Sequence, residues 1–171
     1  MLFRSLETTY RSSGNLLYLL LTHPEQLAMV QRDRSLIPIA IEEGLRVETP
    51  LTMVMRTTTE EVEIGGKTIP ADAQVDMCMA SANRDESRWP DANTFNIHRP
   101  RHTHIAFAGG IHMCLGMHLA RMETRVMLNS LFDRVKDLKF APDDGTGEES
   151  KIVGLIFRSP NKLPVTFTPS A

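Results

Sequence analysis

A mainly α chain with a small β region (α+β) is what these 171 residues predict. Three observations carry that expectation. Apolar residues recur at helical spacing early in the chain and again after residue 115. Between them lie short alternating runs bounded by turn residues, which is strand patterning. Prolines stand where helices should begin or stop. A chain of this length, 42% hydrophobic, can bury one core or serve as one lobe of something larger.

The opening segment reads as a helix over 7–22, closed at His23-Pro24 because the residue before a proline avoids the helical region. Pro24 starts a second helix. Pro38 suits the first turn of a third, over 39–47, which ends before Thr49-Pro50. Glu43 and Arg46 lie three apart on one side of it, and by itself such a pair is a solvated helix pair. Residues 51–79 read as a small sheet: LTMVMRTTT, then EVEIGGKTIP with Gly65-Gly66 as a hairpin turn, then AQVDMCM with alternating apolar residues. From Ala82 to Met113 periodicity almost vanishes, and a loop of that length is expected only where it is functional. Leu115, Leu119, Met122 and Val126 then follow helical spacing, predicting a long buried helix over 115–135. The tail predicts strands at IVGLIF and PVTF, a C-terminal hairpin over 152–168. No repeat, low-complexity segment or second domain is evident.

With 19 basic and 21 acidic side chains the net charge is −2, so nothing overall points to nucleic acid or a membrane surface. The window from His98 to Arg125 differs, carrying four arginines against one acid, Glu123, and five of the six histidines. Cys78 and Cys114 are too few for a disulfide scaffold, so a reducing, cytoplasmic setting is expected. The longest apolar run, Leu16 to Leu21, is far shorter than the roughly 20 residues that cross a bilayer, and no membrane span or signal peptide is expected.

The stretch that carries chemistry is FAGGIHMCLG, Phe107 to Gly116. A cysteine at a helix N-terminus, among glycines that let backbone amides approach the sulfur, sits where thiolate is favoured over thiol. A thiolate binds metal. Zinc is one candidate, since His112, Cys114 and His118 are closely spaced, but structural zinc sites draw several cysteines in paired spacing and this chain lacks them. A packed loop with an inert cysteine leaves the glycines and His112 without a role.

FAGGIHMCLG fits F-x-x-G-x-[HR]-x-C-x-G and so resembles the cysteine-ligand loop of the cytochrome P-450 haem-thiolate monooxygenases. Other segments resemble the family in its own order. Glu43-Gly44-Leu45-Arg46 is similar to its E-x-x-R motif, and Arg99, in FNIHRP, to the third member of the Glu-Arg-Arg network. Glu7-Thr8-Thr9 resembles the acid-alcohol pair on the long distal helix, although a Thr in the first turn of a helix needs no such role. ANRDESRW and LGMHLAR look most like the soluble bacterial branch.

The resemblance implies haem b (iron protoporphyrin IX) bound by Cys114 as axial ligand within the loop from Phe107 to Gly116, with Arg56 and His112 on its propionates. It implies Glu7 and Thr8 as the proton-delivering pair on the distal side, and Glu43, Arg46 and Arg99 as a structural network. Leu51, Met53, Val54, Leu155 and Ile156 fall where the family lines an apolar substrate pocket. Electrons from NAD(P)H would arrive through a ferredoxin or flavin-type donor docked on the basic window. In family terms the chain is the C-terminal half of the fold, with a distal helix remnant over 7–22, a meander and cysteine loop over 83–116, and a proximal helix over 115–135. Matching begins at Glu7, and Ser5 and Leu6, preceded by Arg4, stand where the family carries small residues, so a truncated gene, a shifted reading frame or a false start codon is expected. The apolar sides of the helices at Leu16 to Leu21 and Leu115 to Val135 should then lack partners, leaving the isolated chain prone to aggregate.

Overall fold

The computed structural model describes residues 2–100, 102–141 and 145–170, with side chains from residue 7 onward. Three helices open the chain: α1 (Leu2–Thr22), α2 (Pro24–Arg32) and α3 (Ile37–Val47). The His23 ring nitrogen Nδ1 donates to the carbonyl of Leu19 at 2.8 Å, closing the last turn of α1, and Pro24 occupies the first turn of α2, where no amide donor is missed. Two residues more than the spacing predicts belong to α3, because Pro38 sits within its first turn. α1 and α3 cross closely at Gly44. A Cβ there would stand 2.9 Å from Cδ1 of Leu16, so only glycine lets the helices meet at this separation.

The middle of the chain forms two separate ladders instead of one sheet. β1 (Met53–Thr57) pairs antiparallel with β4 (Gln74–Cys78), and β2 (Val62–Ile64) with β3 (Lys67–Ile69). Gly65 and Gly66, both at positive φ, make the two-residue turn of the second ladder. A single turn of helix, α4 (Met79–Ala82), leads into the meander, which contains no further strand before the long helix α5 (Met117–Arg134).

The predicted C-terminal hairpin is not formed. Gly154 adopts φ +108° and stops β6 (Ile152–Val153) after two residues; its partner is β7 (Ser159–Pro160). β8 (Val165–Pro169) instead pairs with β5 (Val135–Phe140), a strand that follows α5 without a loop and that helical spacing absorbed at its first residue. The ladder shifts register between Lys136 and Lys139, where Asp137 takes φ 54° as a bulge.

One core joins these elements. Leu16, Leu19, Leu20 and Leu21 of α1 are buried against α2, α3 and α5, together with Phe95, Ile97 and Leu138. The expectation that Leu16 to Leu21 lacks partners is therefore overturned: those residues pack inside this chain. For α5 the expectation divides by face. Thr124, Leu128 and Phe132 are buried, whereas Leu115, Leu119, Met122 and Val126 are exposed, so the helix is not buried all round and the predicted stripe is its outer face. Among the described residues no helix is long and apolar enough to cross a membrane.

Candidate functional site

The site is built on α3. Arg46 is 1% exposed and uses all five of its N–H groups: Nε and Nη2 donate to the two oxygens of Glu43, each at 2.8 Å, and the rest reach the carbonyls of Asn83, Ala92 and Thr94. Its guanidinium also lies 5.1 Å from the centre of the Trp89 ring. The Glu43 carboxylate takes two more donors, Nε of Arg99 and the amide of Asn96, both at 3.1 Å. Arg99 in turn collects the carbonyls of Pro90, Asp91 and Thr94. The turn-rich meander, which has no strand ladder among the described residues, finds its hydrogen bonds here. The pair that by spacing alone reads as solvated is thus the best-enclosed ion pair described.

Asn83 extends the network to the cysteine loop. Its Nδ2 donates to Thr49 Oγ1 at 2.9 Å and its Oδ1 accepts from the amide of Ile105 at 2.8 Å. From there the loop turns tightly, with Ala108 and Gly110 both at positive φ, and the amide of Cys114 donates to the carbonyl of Phe107 at 2.9 Å. The Cys114 thiol is exposed. Gly116 lies just beneath it, where a Cβ would be 4.0 Å from the sulfur.

A second charged group flanks the same loop. Glu42, beside Glu43 on α3, accepts a two-pronged bond from Arg121 of α5, 2.7 Å from Nε and 2.8 Å from Nη2, and a bond from His104 Nε2 at 3.1 Å. The Arg121 guanidinium stands 4.5 Å from the centre of the Phe107 ring. Burial works against ionisation of Glu42 more than any other single influence, yet the hydrogen bonds and charges of Arg121 and His104 together outweigh it and hold the carboxyl at about 2. Arg121 is correspondingly favoured as a cation, first by its bond to Glu42 against the opposing effect of burial, with Glu42's charge and then Cys114 adding to it. Neither Glu42 nor Arg121 stood out in the sequence; the only signal was a doubled glutamate in the helix and an arginine in the basic window.

Arg56 and His112 line one open cleft of about 270 Å3, whose other walls include Met77, Met79, Ile105 and Ala108. Cys114 is not among its lining residues. An apolar wall with two nitrogen-bearing side chains suits a flat carboxylated ring, and the exposed Cys114, outside that lining, has a sulfur of the kind that binds iron. His112, Cys114 and His118 do not converge as a three-ligand cluster among the described residues.

The remaining predicted residues lie apart from that cleft. Glu7 is exposed and faces Arg11 one turn along α1, at 3.4 Å, while Arg11 also donates to Ser159 at 2.9 Å; Thr8 is half-buried. The side chains of Arg4, Ser5 and Leu6 lie outside the described residues. Leu51 bridges to Phe157, and Thr52 donates to the carbonyl of Leu155 at 2.5 Å, so the segment 51–54 and the exposed Leu155 and Ile156 do come together. The basic window is divided: Arg99 and Arg121 turn onto glutamates, Arg125 and the histidines other than His104 are exposed, and Arg101 lies outside the described residues.

The family model described as Cytochrome P450 matches residues 1–163. The chain belongs to the cytochrome P450 family. It is 43% identical over 150 residues to the 6-deoxyerythronolide B hydroxylase of Saccharopolyspora erythraea, covering 86% of this chain and 36% of that protein. Against the biotin biosynthesis cytochrome P450 of Bacillus subtilis it is 38% identical over 161 residues, covering 94% of this chain and 40% of the relative. Its fold superposes on the structure of cytochrome P450 CYP109Q5 from Chondromyces apiculatus with a TM-score of 0.87 at 44% identity, over 96% of this chain and 42% of that one. This cytochrome P450 chain therefore spans well under half the length of the relatives it matches.

Proposed function

We propose that this chain supplies the thiolate half of a haem monooxygenase, with Cys114 as axial ligand and Arg56 and His112 holding the propionates of haem b. The reading rests on one observation above the rest: the buried Glu43 carboxylate gathers Arg46, Arg99 and the meander behind a loop that leaves the Cys114 thiol exposed. When bound, the haem supplies oxygen activation, placing one atom of dioxygen in an organic substrate and the other in water. The chain's own residues hold it and shape its surroundings. Phe107 and Gly116 bracket the ligand loop, and the Cys114 amide donates to the Phe107 carbonyl, which restrains the backbone that carries the sulfur.

On the distal side Glu7 and Thr8 stand as the acid-alcohol pair that moves protons through water, Glu7 being available from its exposed position on α1. Leu51, Met53, Val54, Leu155 and Ile156 favour an apolar substrate, since the segments that carry them meet at the bridge from Leu51 to Phe157. Electrons originate in NAD(P)H and reach the proximal side from a ferredoxin or flavin-type donor, in a cytoplasmic setting that keeps both cysteines reduced.

A second reading, a remnant without stable haem, is favoured by the exposed outer face of α5 and the open cleft, which leave the cofactor half enclosed. Carbon monoxide added to the reduced, haem-loaded protein tests the ligand. The band should be red-shifted in the thiolate manner, survive Cys78→Ser and vanish in Cys114→Ser. A band unchanged by Cys114→Ser overturns the assignment, and no haem uptake at all establishes the second reading.

A further inference from the structure

Two adjacent glutamates of α3 take different partners, and only Glu43, with Arg46, Arg99 and the Asn96 amide, enters the reading above. Glu42 grips Arg121 through both guanidinium edges, and His104 completes the group from the loop itself. The His104 ring is fixed at both nitrogens. The amide of Ala106 lies 3.2 Å from Nδ1, and Nε2 faces the Glu42 carboxylate at 3.1 Å. Arg121 then lays its guanidinium over Phe107, whose carbonyl holds the Cys114 amide. A continuous path of contacts runs from Glu42 to the cysteine backbone.

We propose that Glu42, Arg121 and His104 are positioning residues that hold Phe107 and the Cys114 loop through contacts separate from the Glu43 network, and that bring the Arg121 charge onto that loop. The effect of that charge on a bound iron rests on Cys114 being the iron ligand; the positioning does not. Three observations converge on it. The bond from Arg121 to Glu42 is two-pronged, which fixes direction as well as distance. The guanidinium is spent on this group and on the ring of Phe107, not on solvent alone. His104 has a side chain 6% exposed, an environment in which an unengaged ring nitrogen would be costly.

Amide exchange in the chain without haem tests the positioning. In Arg121→Gln and Glu42→Gln the amides from Ala106 to Cys114 should exchange roughly threefold to tenfold faster, with Arg121→Lys intermediate because the charge remains but the fork is lost. Unchanged exchange in Arg121→Gln overturns the proposal. The reduction potential of the haem-loaded chain tests the charge. Arg121→Gln removes a cation and should lower it, Glu42→Gln removes an anion and should raise it, and Arg121→Lys should stay near the parent. A loop that is merely loosened would shift both glutamine variants the same way, and that result also overturns the proposal. If the parent chain shows no thiolate band, the ligand reading has failed, and exchange alone decides whether this group holds the loop.

Discussion

At the scale of single residues the two glutamates of α3 differ in what surrounds them. Glu43 is 6% exposed and meets only donors; removing Arg46 would take away two of the four and leave Arg99 and the Asn96 amide to hold a buried carboxylate, which should cost up to about 3–5 kcal/mol, the scale of a broken buried pair. Glu42 is partly open to water, and its contribution reads out in pH. Its carboxyl is held at about 2 in the folded chain, below the 4.5 of an unperturbed glutamate. The unfolded chain therefore binds the proton first as pH falls, and stability from this group, fully present above 4.5, should be lost between 4.5 and about 2. Denaturation midpoints across that window should fall less steeply in Glu42→Gln than in the parent; parallel slopes would deny the linkage. Glu43, Arg46 and Arg99 were legible through the likeness of E-x-x-R and FNIHRP to family motifs, since spacing alone marks Glu43 and Arg46 only as a solvated helix pair and says nothing of Arg99. Arg121 was not, since it lies 79 residues from Glu42 and nothing local marks the pairing.

Among the elements, those with local causes were read correctly. Helix starts at Pro24 and near Pro38, and the Gly65-Gly66 turn, follow from backbone rules that act within a few residues. Strand partners follow from the whole fold, and there the reading failed: PVTF pairs across to the strand after α5, not to its near neighbour. Gly154 is the reason the neighbour is unavailable. A Cβ at that position would lie 2.0 Å from the carbonyl oxygen of Phe157, in a backbone conformation that side chains rarely adopt. Gly154→Ala should therefore cost about 1–3 kcal/mol and displace the turn that presents Leu155 and Ile156. Thermal melting checks the cost, and a variant as stable as the parent would contradict the geometry. If those two side chains line the pocket, substrate selection should change in the same variant.

At the scale of the whole chain, the described residues divide between one core and apolar side chains exposed outside it. Leu16, Leu19, Leu20 and Leu21 of α1 belong to the core, whereas Leu119, Met122 and Val126 of α5 are exposed and lie outside it. Glutamine at Leu119 and Val126 together should leave the melting midpoint within the range of ordinary surface changes, about 0.5 kcal/mol, and reduce light scattering in concentrated solution. A loss of 2–5 kcal/mol, the scale of core truncation, would place the stripe inside instead. The sequence pattern could identify this face as apolar but not as outer, because helical spacing states which residues share a side and not which side is covered. The buried Asn15 of α1 has a further consequence. Its amide donates to the carbonyl of Arg158, 143 positions later in the chain. A ribosome adding about 5–20 residues per second needs on the order of ten seconds to cover that interval, so a newly made α1 can bond the carbonyl of Glu48, 33 positions on, well before the second acceptor that ties it to the tail has been synthesised.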